Sequence, residues 1–224
     1  MIDRQFRIAR IWSNDELRKV GHIFTGSAVN VSGWRDEDKE GRTYKSYFPN
    51  CTSYAITNYG GIRGTGPENE LTLDLERALP QEMVQAFDLV FNHTTLEHIF
   101  DVNTAFANLC SMARELVVVV VPFAQVEHFT ESFGDYWRFS PQALTRMFEV
   151  NGFSPIYTAV SPAANAGVYI LAVGAKHPEL WVGRFPETKL PRFAGQWIGR
   201  RRTLGSLFGN LGPWLRKLQR DRIA

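Results

Sequence analysis

The sequence predicts an α/β fold, a mostly parallel sheet with helices on both faces. Three observations point there. Leu116 to Phe123 is a continuous β-branched apolar run, the pattern of a central strand covered on both sides. Four strand-like segments precede it, separated by stretches long enough for parallel crossovers. Two more follow it, close enough in sequence to pair antiparallel.

The elements follow in order. Ser13 and Glu16 have capping-box spacing ahead of apolar Leu17 and Val20, so the first clear helix is expected to open at Ser13. Ala28 to Ser32 is a short strand entering a tight turn at Gly33, and Tyr44 to Phe48 closes a short helix before Pro49. Ser53 to Tyr59 alternates and is β-rich. Gly60, Gly61 and Gly64 to Pro67 make a loop, Glu70 to Leu75 a third strand, and Phe87 to Asn92 a fourth. Between Phe100 and Glu115, Ala105, Phe106, Leu109, Met112 and Ala113 share one helical face. Ser140 and Pro141 read as an N-cap and an N1 proline, and Asn151-Gly152 as the stop. Ile156 to Val160 and Val168 to Ala175 are the last strands, joined by a loop with Pro162 and Gly167.

The 224 residues suit one ordinary domain with an appendage. Hydrophobic residues at 44% and charged residues at 21% exclude a disordered or fibrous chain. No apolar run approaches the ~20 residues of a membrane helix, and MIDRQFRIAR lacks a signal-peptide core, so a cytoplasmic location is expected. Cys51 and Cys110 have no metal or redox spacing.

The net charge of +2 averages two unlike regions. Residues 1–183, the expected catalytic-type domain, carry 15 Lys and Arg against 21 Asp and Glu, a net of −6. Residues 184–224 carry 10 against 2, a net of +8. In this tail Leu204, Leu207, Phe208, Leu211, Leu215 and Leu218 recur at helical spacing among arginines, with Trp197 and Trp214 as anchors. That pattern fits an amphipathic contact with the inner face of a membrane, or packing on the domain or another subunit; nucleic acid ranks behind both.

In α/β sheets, ligands bind beyond the carboxyl ends of the strands, so residues there are the candidates. Ser32, Gly33 and Trp34 follow the first strand; there is no G-x-G-x-x-G and no phosphate-cradling P-loop. Asn58, after the second strand, suits ribose hydroxyls or a turn. Asp74, flanked by Leu73 and Leu75, needs a partner such as an adenine amino group or a helix N-terminus. After the fourth strand, Asn92, His93, Thr94, Thr95, Glu97 and His98 crowd one turn. His93 and His98 are five residues apart, a poor spacing for joint metal ligation, so no metal is expected from them. The long stretch after the fifth strand brings Glu127, His128, Asp135, Tyr136, Trp137 and Arg138 together, either as an active-site loop or as a packed one with Arg138 paired to Asp135.

Taken in order, these segments resemble class I S-adenosylmethionine-dependent methyltransferases. FDLVFNHTTLEH at Phe87 to His98 is similar to the family's fourth-strand motif, and LDLE at Leu73 to Glu76 to its third. VVVVVPF at Val117 to Phe123 and HFTESFGDYWRFSP at His128 to Pro141 complete the match, the latter resembling methyltransferases of polysaccharide and glycan gene neighbourhoods. The resemblance spans roughly Ala28 to Ala175. It implies a Rossmann-like seven-stranded sheet with one antiparallel strand and S-adenosylmethionine as cofactor. The cofactor would lie over Ser32, Gly33 and Trp34, with ribose near Asn58, adenine near Asp74 and Leu75, and the methyl near Asn92 and His93; Arg42, Tyr44 and Tyr47 are looser choices for its carboxylate. The acceptor would be a sugar hydroxyl of a glycan or of its lipid- or nucleotide-linked precursor. His128 is then the first choice of base and His93 the second. Asp135, Tyr136, Trp137 and Arg138 would line or grip the acceptor. Two departures stand out: the first glycine loop is reduced to V-S-G-W, and the acid that ordinarily ends the second strand is replaced by Thr57-Asn58. A non-catalytic binding protein on the same fold is the competing expectation, and a small-molecule methyltransferase differs only in acceptor.

Overall fold

The computed structural model describes residues 2–60, 70–125, 127–131, 133–161 and 169–188. The loops expected at Gly64 to Pro67 and at Pro162 to Gly167, and the amphipathic pattern of the tail from residue 189 on, lie outside the described residues. Seven strands form one sheet: β1 (Gly26–Val31), β2 (Cys51–Asn58), β3 (Glu70–Thr72), β4 (Phe87–His93), β5 (Ala113–Pro122), β6 (Ser154–Val160) and β7 (Tyr169–Ala175). Their order is β3-β2-β1-β4-β5-β7-β6. Strands β1 to β5 pair in parallel, and β7 runs antiparallel to both β5 and β6. This is the expected α/β sheet with one reversed strand.

Among the described residues three α-helices cover it: α1 (Ile2–Val20), α2 (Val102–Met112) and α3 (Pro141–Val150). Strand parity sorts the core into two layers. Val90, Val117, Val119 and Val121 meet Phe106 and Leu109 of α2 and Phe148 of α3. Leu89, Phe91, Val118 and Val120 point the other way, onto Leu17 and Val20 of α1 and the turn holding Tyr44, Tyr47 and Phe48. The α3 start is as expected: Ser140 accepts from the Ala143 N–H, with Pro141 in the first turn.

Two expectations are corrected. Helix α1 begins eleven residues before Ser13. Ser13 is not its cap, because its hydroxyl donates to the Arg10 carbonyl one turn back and meets the His93 ring instead. Glu16 bonds Tyr157 and Lys19, so the apparent capping box is taken up by tertiary contacts. Strand β3 ends at Thr72, leaving Asp74 in the turn that follows it. The β1–β2 crossover, residues 32–50, carries a single 3-10 turn at Tyr44–Tyr47 and no α-helix.

Candidate active site

A cavity of about 830 Å³ lies at the carboxyl edge of the sheet, within the usual size of ligand pockets. Each parallel strand contributes the residues just past its end. Ser32 follows β1, Tyr59 follows β2, Leu73 to Glu76 follow β3, and Thr95, His98 and Ile99 follow β4. The arm after β5 closes the wall with Glu127, Phe129 and Gly134 to Tyr136. A second cavity, about 800 Å³, runs along β6 and opens where the described residues stop at Thr188.

The first loop is tightly wound. Ser32, Trp34 and Asp36 all take positive φ without being glycine, a conformation that needs surrounding contacts to hold it. Gly33 is required by space: an added Cβ would sit 2.6 Å from the Asn30 amide and 2.9 Å from Ile56. Asn58 holds the loop shut. Its oxygen accepts from the Trp34 N–H at 2.8 Å, and its amide donates to the Trp34 carbonyl at 2.9 Å and to Glu70 at 2.7 Å. Asn58 is therefore buried and committed to the loop, and Trp34 stands 58% exposed outside the cavity wall. Asp74 and Leu75 do line the cavity, Asp74 accepting from the Glu76 N–H.

At the end of β4 the two expected residues part company. Asn92 donates to the Val31 carbonyl at 2.9 Å, and its buried oxygen has no hydrogen-bond partner among the described residues. His93 faces α1, between Tyr44, Phe91 and Tyr169. An arginine only donates, so Arg10 Nη1, 3.0 Å away, engages the Nδ1 lone pair of His93. The Nε2–H then donates to Ser13 Oγ at 3.0 Å. Burial, reinforced by the charge of Arg10, drives the His93 pKa well below its ordinary value. His93 is thereby corrected from a candidate base to a neutral structural residue: its lone pair is occupied and its ring is 8% exposed on the α1 side. Tyr44 and Tyr47 are buried in the same layer, Tyr47 bonded to Asp38, and do not face the cavity.

In the arm, Arg138 and Asp135 hold each other. Arg138 reaches both Asp135 oxygens at 2.6 Å and the Gln125 carbonyl at 2.9 Å. Burial works to raise the Asp135 pKa, but the Arg138 bonds and the His128 N–H outweigh it and hold it at about 2. The pair shapes the loop, so Arg138 does not offer a free fork for phosphate. Trp137 donates to the Ile99 carbonyl at 2.9 Å, and Tyr136 stands half-exposed on the cavity wall against Phe100. His128 lies behind that wall with its backbone N–H on Asp135.

Sequence reasoning passed over Glu97 and His98 as individual site residues. Glu97 is buried with neither carboxyl oxygen hydrogen-bonded among the described residues, and burial pushes its pKa up to about 7. His98 meets His128 ring to ring at 4.9 Å. The signal was the crowding of polar residues in one apolar turn, but nothing local showed that a residue thirty positions on would join them.

No protein-family model and no curated protein matches the chain. Solved structures do match its shape. One is the 1,6-didemethyltoxoflavin-N1-methyltransferase of Burkholderia thailandensis, with 1,6-didemethyltoxoflavin and S-adenosylhomocysteine bound: TM-score 0.50, 13% identity, 74% of this chain and 80% of that one. A second is the magnesium protoporphyrin IX methyltransferase of Synechocystis with S-adenosylhomocysteine: TM-score 0.51, 10% identity, 79% and 87% covered. A third is an S-adenosylmethionine-dependent methyltransferase from Mesorhizobium loti: 0.51, 11%, 72% and 96%. The chain thus has the Rossmann-like fold of class I methyltransferases.

Proposed function

We propose that the protein is an S-adenosylmethionine-dependent methyltransferase that acts on an oxygen of a glycan or of its lipid- or nucleotide-linked sugar precursor. The observation that carries the reading is the cavity beyond the carboxyl ends of β1 to β4 in a sheet ordered 3-2-1-4-5-7-6. Structural neighbours of the same fold were solved holding S-adenosylmethionine or S-adenosylhomocysteine. The sugar acceptor rests on the DYWRF segment alone.

The residues present fit the cofactor in part. Ser32, Asp74 and Leu75 would hold it, with the unpartnered Asn92 oxygen behind them as a further acceptor. When bound, it supplies a methyl group on a sulfonium. Tyr136 would offer the acceptor an amphipathic wall, and His128, just behind that wall, is the candidate to take a proton. Asn58 does not fit: its three bonds leave it no role toward a ribose. That feature favours the second reading, a binding protein on a methyltransferase fold. Titration calorimetry with S-adenosylmethionine and S-adenosylhomocysteine separates the two. Micromolar binding of either supports the enzyme; no heat with either at ~1 mM ligand, a Kd limit near −4 kcal/mol, removes it.

A further inference from the structure

Glu97, His98 and His128 form a cluster that the loop-holding ion pair and the β1 loop do not use. Glu97 and His98 sit in the 3-10 turn Leu96–His98 after β4, and His128 on the arm after β5. One ligating atom from each lies within 4.8 Å of the others. The cluster is also where polar atoms are left over. Among the described residues both Glu97 oxygens are buried without a hydrogen-bond partner, the side chain being 1% exposed, and so is His128 Nδ1. An unpartnered buried carboxyl is costly, and a cation shared with the two imidazoles relieves it.

The histidines are oriented as metal ligands are. His98 Nδ1 can only donate to the Gly134 carbonyl, 2.6 Å away, which leaves the Nε2 lone pair toward Glu97, 3.9 Å from its Oε1. Asp135 stands 3.4 Å from His128 Nδ1 and accepts the His128 backbone N–H. A carbonyl behind one ligand and a carboxylate behind the other is the outer-shell arrangement that fixes imidazoles on a metal. Two cations act on Glu97, Arg10 first and then Arg138, and each already has a partner, His93 for Arg10 at 3.0 Å and Asp135 for Arg138 at 2.6 Å.

We propose that Glu97, His98 and His128 bind a divalent transition metal of the zinc type. Two imidazoles and one carboxylate suit such ions better than the all-oxygen sites of calcium or magnesium. Metal–ligand bonds of about 2.0–2.2 Å require the three donors to draw together by up to about an ångström, within reach of side-chain rotation. Three protein ligands leave a coordination position open, and the site borders the cavity through His98. An acceptor hydroxyl on that position would lose its proton more readily than in water. The metal-bound state also assigns the His128 ring to ligation instead of proton transfer.

The test uses the tag-free, full-length chain, stripped with a chelator and titrated first with Co²⁺ and then with Zn²⁺. One equivalent of Co²⁺ should develop visible ligand-field bands, and one of Zn²⁺ should bleach them. Glu97→Gln, His98→Ala and His128→Ala should each weaken binding by about 100-fold or more, above the loss from removing an orienting partner. His177→Ala should not, since His177 pairs with Glu115 at the opposite end of β5. X-ray absorption of the wild-type Zn²⁺ form should show two imidazoles, a readout that survives if an alanine variant folds poorly. No stoichiometric uptake by the wild type overturns the proposal, as does uptake unchanged in the three ligand variants. Metal uptake is measured without cofactor, so it stands or falls apart from S-adenosylmethionine binding.

Discussion

Asn58→Asp restores the acid that methyltransferases of this class ordinarily carry at the end of β2, and it should unsettle the chain. The Asn58 amide donates to Glu70 at 2.7 Å and to the Trp34 carbonyl at 2.9 Å. An aspartate has no donor to offer either. Losing a bond to a charged acceptor costs about 1.5–3 kcal/mol and the bond to a carbonyl about 1 kcal/mol. Two carboxylates then face each other in a buried place, and raising one pKa by a unit to relieve them adds roughly 1.4 kcal/mol. A loss of about 4–5 kcal/mol at pH 7.5 follows, or a fall in Tm of roughly 10–20 °C for a domain of this size. Adding Glu70→Gln supplies a donor to the new carboxylate and should recover about half of the loss. Urea denaturation of the four members of this cycle measures the coupling. Asn58→Asp as stable as the parent, or additive effects in the double variant, would refute the role given to Asn58.

Two further outcomes rest on other contacts. Asp88 joins the starts of β1, β4 and β5 through Ser27 and Arg114, and Arg114 first, then Ser27, hold its pKa down to about 2. With the folded pKa below the unfolded one, this stability is present above pH ~4 and lost as pH falls toward 2. Solvent screening of a carboxylate 37% exposed limits it to about 1 kcal/mol. Asp88→Asn should remove that acid dependence in urea midpoints compared at pH 4.5 and 2.5, and identical slopes would count against it. Gly21→Ala should cost about 2–3 kcal/mol, since its Cβ would lie 1.9 Å from the Tyr47 carbonyl oxygen. An unchanged melting temperature would show that the β1–β2 crossover yields more easily than its packing implies.

The sheet was legible because its signals are local. An unbroken run such as Leu116 to Val121 has no amphipathic choice to make, and Ser140-Pro141 caps a helix wherever it is placed. The site was harder to read, for a reason visible in β4. A strand buried on both sides is apolar at odd and even positions alike, so nothing in FDLVFNH shows which parity faces α1. On sequence alone His93 and Asn92 therefore fall together beside a cofactor that only one face can meet. Asp135 and Arg138 carry the residue types of a substrate grip, and the three-residue spacing that lets them satisfy each other is equally legible. Glu97 shows in the sequence only as one of a crowd of polar residues, because its significance lies in what fails to reach it, and a missing hydrogen bond is a property of three dimensions.

Helix α1 lies first in the chain, but its partners come late. Glu16 bonds Tyr157, 141 residues on, and Leu17 and Val20 pack with Leu171 and Val173 of β7. At a synthesis rate of about 5–20 residues per second, those partners follow it by roughly 7–28 s or more. During that interval α1 can meet its earlier partners, the turn at Tyr44 to Phe48 and strands β4 and β5, but not β6 and β7. The contacts of α1 with β6 and β7 thus join the two ends of the described sheet domain and can form only once both strands have been made.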